Sequence, residues 1–228
     1  MIKKKFILFD SGSMINFSSN SLLSVFEGLK KQFDGEFLIT NEIKYEVVDY
    51  PIKVKRFEWG AIRIKKLLDD GILKIAEKGF VDGNELKKRA KKIMNISNNT
   101  FFTKHKALSL IHNGEAEIIA LSQMLTEQKH EVAVVIDERT ARVLCEKPEN
   151  LQKLMTKKLH EEVTANKDNF DLLRGCNIIR STELAYVAYQ KGLIEEIDPR
   201  TLEAVIYALK FGGVSISEKE AQAYGNMK

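Results

Sequence analysis

Cysteine is almost absent from this chain: Cys145 and Cys176 are the only two in 228 residues, and they form no C-x-x-C spacing. That argues against a disulfide framework and a cysteine-built zinc site, and it predicts a reducing, cytoplasmic setting. Proline is equally scarce, and three residues leave no room for a proline-rich linker. No tandem repeat or low-complexity tract interrupts the sequence. No apolar run exceeds strand length, so no membrane partner is expected. The basic flank Lys3-Lys4-Lys5 precedes an apolar stretch that stops at Asp10. That stretch is too short for a signal-peptide core and has no small-residue cleavage site. His105, His112, His130 and His160 stand at no ligand spacing. The remaining composition, 44% hydrophobic and 30% charged, is that of an ordinary globular chain. The length predicts one domain over 1–228, with a helical insertion at 146–176 and a helical C-terminal extension at 199–228.

What is present is a pattern of acids. Phe6-Ile7-Leu8-Phe9 runs straight into Asp10, and Ala133-Val134-Val135-Ile136 runs straight into Asp137-Glu138. Two short apolar runs ending on acids predict buried parallel strands over 5–9 and 132–136. Their carboxyl ends form the edge where open α/β sheets bind ligands.

Between them, Leu22, Leu23, Val25, Phe26 and Leu29 recur at helical spacing and predict a helix over 19–32, broken by Phe33-Asp34-Gly35. Phe37-Leu38-Ile39 reads as a second buried strand. Thr40 or Asn41 then caps a helix to about Val48, closed by Pro51. A helix over 56–69, an edge strand over 72–75 and helices over 84–94 and 103–112 follow. A further helix opens at Asn113-Gly114 and sets Glu115, Ile118, Ile119, Ser122 and Leu125 on one face. Beyond the 132–136 strand come a helix from 139, a strand at 177–179, and helices at 182–191, 199–210 and 217–225. Strands alternating with helices over long crossovers specify a three-layer α/β domain with a mostly parallel central sheet.

Each acid has a plain alternative. Asp10, in Asp10-Ser11-Gly12-Ser13, suits a turn leaving a strand, although a bare acid after so apolar a run asks for more. Glu42 and Glu46 share a helix face, and Glu42 belongs in a first turn as dipole compensation. Glu46, beside Val47, is the better ligand candidate. Glu115 is also ordinary in a first turn, but it lies on the face toward the sheet, whereas Glu117 points elsewhere, toward solvent. Of Asp137 and Glu138, one suits a ligand while the other caps the next helix or takes Arg139 or Arg142. Together, carboxylates at one sheet edge suggest a hard divalent cation held by oxygen.

Charge favours a phosphodiester substrate. The net charge is +4, with Lys53, Lys55, Arg56, Arg63, Lys65 and Lys66 crowding one segment and Lys87, Lys88, Arg89, Lys91 and Lys92 another. Solvated helix faces explain either run taken singly. Phe57 and Trp59 are placed to stack on bases but are expected to pack against the core.

The chain resembles the PIN-domain nucleases, including the VapC-like toxins and the archaeal PIN proteins. The matching segments are Asp10-Ser11-Gly12-Ser13-Met14-Ile15, Thr40 through Glu46-Val47, Gly114 through Leu121, and Ile136 through Arg142. They fall within residues 6–145, and 177–194 fits the family's end. Each motif is short, and the specificity lies in their joint order. The resemblance implies a three-layer PIN-like fold and a metal-dependent endoribonuclease using Mg²⁺ or Mn²⁺. Asp10, Glu46, Glu115 and the pair Asp137/Glu138 would hold the metal, with Ser11, Ser13, Asn16 and Thr40 in support. Ser11 or Ser13 would orient a water or phosphate. Lys53, Lys55, Arg56, Arg63, Lys65, Lys66 and Arg139 would face RNA. An antitoxin-like protein and a homodimer are further partners the family admits. Where relatives commonly carry aspartate, Glu115 is one methylene longer, and the 146–176 segment has no counterpart in the compact toxins. A PIN scaffold that binds RNA or protein without cutting is the competing reading.

Overall fold

The computed structural model describes residues 3–194 and 198–225. Its frame is a five-stranded sheet in the order β3-β2-β1-β5-β7, formed by Leu73–Ile75, Glu36–Ile39, Lys5–Phe9, Glu131–Val135 and Ile178–Ile179. Every pairing in it is parallel. The chain is therefore α/β, as its alternating elements predict. Leu8, Phe9, Phe37, Leu38, Ile39, Val134 and Val135 are all buried. Unbroken burial along consecutive residues means that both faces of the sheet are covered.

The helices between strands lie close to their predicted places, with informative exceptions. The helix predicted over 19–32 forms as α2 (Ser24–Gln32) after a tight turn, and a further helix, α1 (Ser11–Ser19), begins directly after β1. Asp10 is the N-cap of α1, and its Oδ2 accepts from the Gly12 amide at 3.2 Å. A polar segment of Ser, Gly and Asn is read from sequence as a turn, but here the cap and the buried Met14 and Phe17 make it helical. After β2, the Thr40 hydroxyl caps α3 (Asn41–Lys44), accepting from Ile43 N at 3.2 Å. The next turn, Tyr45–Asp49, widens to a π-helix, closed by Tyr50 N donating to Tyr45 O at 3.0 Å. Pro51 ends the run by lacking an amide donor. Helices α4 (Glu58–Asp69), α5 (Gly83–Ser97) and α6 (Asn113–Glu127) follow.

The helix predicted over 103–112 is not formed. Phe101–Phe102 is instead a short strand, β4, pairing antiparallel with β6 (Thr164–Ala165). Thr103 and Leu108 are held by hairpin-like backbone bonds. Consecutive aromatics favour extended backbone once a partner strand is available, and that partner comes from about sixty residues away.

The 146–176 stretch contains α8 (Pro148–Leu159), β6 and α9 (Phe170–Leu173), after α7 (Arg139–Glu146). It is thus only partly helical, and Leu151, Met155, Val163 and Phe170 join the main core. Helices α10 (Ser181–Gln190), α11 (Thr201–Phe211) and α12 (Glu218–Gly225) close the described chain, and positions 226–228 of the predicted extension lie outside it. Both cysteines are free. Among the described residues, no helix is long and apolar enough to cross a membrane.

Candidate active site at the carboxyl edge of the sheet

Asp10 leaves the carboxyl end of β1 almost fully enclosed, with 4% of its surface exposed. One carboxylate oxygen serves the helix cap, while Oδ1 is buried with no hydrogen-bond partner. Burial, then the nearby charge of Glu115 and more weakly that of Glu46, pushes its pKa up to about 7. Among the described residues Asp10 forms no ion pair with a lysine, arginine or histidine. A buried carboxylate without a positive partner is expensive unless it is protonated or bound to a cation.

Glu115 and Glu46 approach Asp10 from two helices. Glu115 stands in the first turn of α6, where its Oε2 accepts from the His112 amide at 2.8 Å. That bond caps the helix, yet burial and the charges of Glu138 and Glu46 still raise Glu115 to about 7. Glu46 sits in the π-turn, displaced upward in pKa by burial, with the Ser11 hydroxyl drawing it partly back. Its carboxylate lies over Gly114: a Cβ built there would stand 2.8 Å from Glu46 Oε2. Glycine at the start of α6 therefore lets the two helices bring Glu46 and Glu115 together.

The adjacent acids after β5 part company. Phe9 pairs with Val135, so continuing that register sets Asp10 beside Ile136 and leaves Asp137 one residue out of phase. Asp137 turns away and is fully engaged. Its Oδ1 accepts from Ser181 N at 2.8 Å, and its Oδ2 from Ser181 Oγ at 2.7 Å and Asn16 Nδ2 at 3.4 Å. Burial raises its pKa, and these donors hold it down. Asp137 ties β5 to α10 and α1. Glu138 returns to the Glu115 side and caps α7, accepting from Ala141 N at 2.7 Å. Neither acid takes an arginine: Arg139 is exposed, and Arg142 donates to Ser215 O at 3.4 Å.

The supporting residues also separate. Ser11 faces Glu46. The Ser13 hydroxyl is buried and donates to the Asp10 carbonyl at 2.7 Å within α1. Asn16 is committed to Asp137 and to Leu209 O at 3.1 Å, which joins α1 to α11. Thr40 caps α3 and lies toward Glu117. Glu117 is not solvated as its sequence position suggested; only 7% of it is exposed.

The acids Asp10, Glu46, Glu115 and Glu138 are thus electrostatic neighbours. As the side chains stand, no three His, Cys, Asp or Glu residues among those described are gathered tightly enough to cage a metal ion. The donor chemistry nevertheless fits one: oxygen ligands, an orphaned buried oxygen on Asp10, and no ion pair at Asp10, Glu46 or Glu115 among the described residues.

The aromatic residues Phe57 and Trp59 at this edge stand outside the core, contrary to their sequence-based expectation. Trp59 is 70% exposed and Phe57 51%. Neither packs into the core. Tyr45, Tyr50 and Ile15 are likewise exposed on the π-turn and α1, which pack against α4 and each other. Arg56 lies over the Phe57 ring at 5.4 Å. Of the basic run, Lys55, Lys65 and Lys66 pair with Glu58, Asp69 and Asp70. Arg63 bonds Ser18 O. Lys53 and Arg56 are exposed and form no ion pair among the described residues. A groove of about 710 Å³ beside the π-turn is lined by Lys44, Lys53, Lys65, Lys74 and Lys78 together with Asp49 and Asp69. The second basic run, on α5, is mostly exposed, with Arg89 paired to Glu85 and Glu127.

No family model, no curated protein and no solved structure matches the chain.

Proposed function

We propose that the chain is a PIN-like, Mg²⁺- or Mn²⁺-dependent endoribonuclease. The observation that carries this reading is Asp10: a buried strand-end carboxylate with an unpartnered oxygen, within electrostatic reach of Glu46 and Glu115 and without an ion-pair partner among the described residues. Asp10, Glu46 and Glu115 would hold the metal, with Glu138 reaching it through water. Asp137 keeps its structural post. Bound at such a site, a divalent ion acidifies water and offsets charge on the reacting phosphate.

The chain's own residues supply the rest. Ser11 orients Glu46. Lys53, Arg56 and the lysine groove hold backbone phosphates through charge, while Trp59 and Phe57 offer flat faces to unpaired bases. The proposal is tested by cleavage of labelled RNA with Mg²⁺ or Mn²⁺, compared between the native chain and Asp10→Asn. Loss of about a thousandfold or more in rate is expected when the central ligand is removed. Undiminished cleavage by folded Asp10→Asn sinks the assignment.

A further inference from the structure

Two residues past Glu115 on α6, Glu117 leaves the helix on its opposite side, since successive residues turn by about 100°. There it meets a second set of acids. Glu77 lies two residues past the end of β3, with Ala76 between, and Glu42 occupies the first turn of α3. Glu117 is more than nine-tenths buried, and its Oε2 has no hydrogen-bond partner. The Oε2 of Glu77 is buried and unpartnered as well, while its Oε1 accepts from the Asn41 amide at 2.9 Å. The charges of Glu77 and Glu42 both act on Glu117. Among the described residues, none of the three forms an ion pair with a lysine, arginine or histidine.

We propose that Glu117 and Glu77 bind a second divalent cation, separate from the Asp10 pocket, with Glu42 and the Thr40 hydroxyl contacting its water shell. Two carboxylates that each keep a buried unpartnered oxygen and act on one another by charge want a positive partner, and no ion pair among the described residues supplies one. The ion best suited is small and hard. Mg²⁺ and Mn²⁺ accept one or two carboxylates and keep their remaining waters, whereas Ca²⁺ asks for six to eight oxygens. A two-carboxylate site needs no cage of three protein ligands. Glu42 and Glu77 are only partly buried, which leaves a path for a hydrated ion to enter. The consequence is mechanical: an ion here ties the end of β3 to α6 and to α3, the helix whose next turn carries Glu46. The inference does not depend on the nuclease reading.

The experiment is Mn²⁺ titration of the full chain, following free Mn²⁺ by electron paramagnetic resonance, with folding of each variant verified by circular dichroism. Asp10→Asn should retain about one bound equivalent, and adding Glu117→Gln should weaken it by about tenfold or more. Glu77→Gln, at a more exposed position, should do the same and guards against misfolding of the Glu117 variant. Binding in Asp10→Asn that neither glutamine substitution alters overturns the proposal. So does an absence of Mn²⁺ binding in Asp10→Asn, which would leave the Asp10 pocket as the sole site. A protonated-carboxyl infrared band at neutral pH that persists in excess Mn²⁺ and vanishes in Glu117→Gln overturns it too, by showing that a shared proton fills the gap.

Discussion

At the scale of single residues, the acids at the sheet edge oppose folding near neutral pH. Asp10 and Glu115 both have pKa values raised to about 7. Between the unfolded value near 4 and about 7, the folded chain therefore binds more protons than the unfolded one. The contribution to stability is greatest at the acid end and is lost as pH rises through about 7. Asp10→Asn should accordingly raise the metal-free melting temperature at pH 8, by on the order of 2 kcal/mol in stability, and this gain should fade toward pH 4. Thermal melts at the two pH values, without metal, check it. A divalent ion should stabilise the native chain more than this variant.

The two acids after β5 should separate in the opposite sense. Asp137→Ala removes an acceptor for three donors and should destabilise by about 2–4 kcal/mol, read as a loss in urea midpoint. Glu138→Ala removes a helix cap worth about 1 kcal/mol. Trp59→Ala should leave stability within about 0.5 kcal/mol, because the ring is exposed. It should weaken binding of an unpaired RNA oligonucleotide by about 1–3 kcal/mol. An unchanged affinity in a fluorescence titration would remove Trp59 from the proposed RNA surface.

At the scale of elements, the position of Glu46 depends on two local irregularities: the π-turn at Tyr45–Asp49 and the glycine that opens α6. A π-turn widens the helix and re-aims the side chains it contains. Gly114→Ala would place a methyl against the Glu46 carboxylate, whose flexible end gives way without unfolding the chain. The expected result is a fold and melting temperature close to native, with RNA cleavage reduced about tenfold or more through misplacement. Equal cleavage would mean that Glu46 is not held at the site by this contact.

Periodicity made most helices legible, because α4 and α10 bury a repeating stripe, whereas α6 is buried nearly all round. It misled at 101–112, where the deciding partner, β6, is remote in sequence. It missed α1, where capping by Asp10 and tertiary burial outweigh a polar composition. Glu77 carried only a weak signal: it lies two residues past the strand Leu73-Lys74-Ile75, and Lys74 interrupts the apolar run.

At the scale of the molecule, the last helices are part of the site's support. Leu202, Ile206, Leu209 and Val214 are buried in the main core. Ser215 N donates to the Asp137 carbonyl at 3.1 Å, Arg180 reaches Glu220, and Asn16 bonds Leu209 O. Truncation before Thr201 should therefore remove several buried side chains worth about 1.5–3 kcal/mol each. Loss of a cooperative thermal transition is expected, and a truncated chain that melts as the full one does would show these helices to be an appendage.

Sequence alone determined that apolar strands end on Asp10 and on Asp137-Glu138, and that parallel β/α alternation brings such ends to one edge. Those features follow from local chemistry and from the reach of a crossover. Only the tertiary structure decided that Asp137 turns to Ser181 while Glu138 turns to Glu115, that Glu117 is buried and that Trp59 is exposed. Hydrophobic spacing records how often a residue is apolar, but what stands opposite a side chain is set by strand register and by elements distant along the chain.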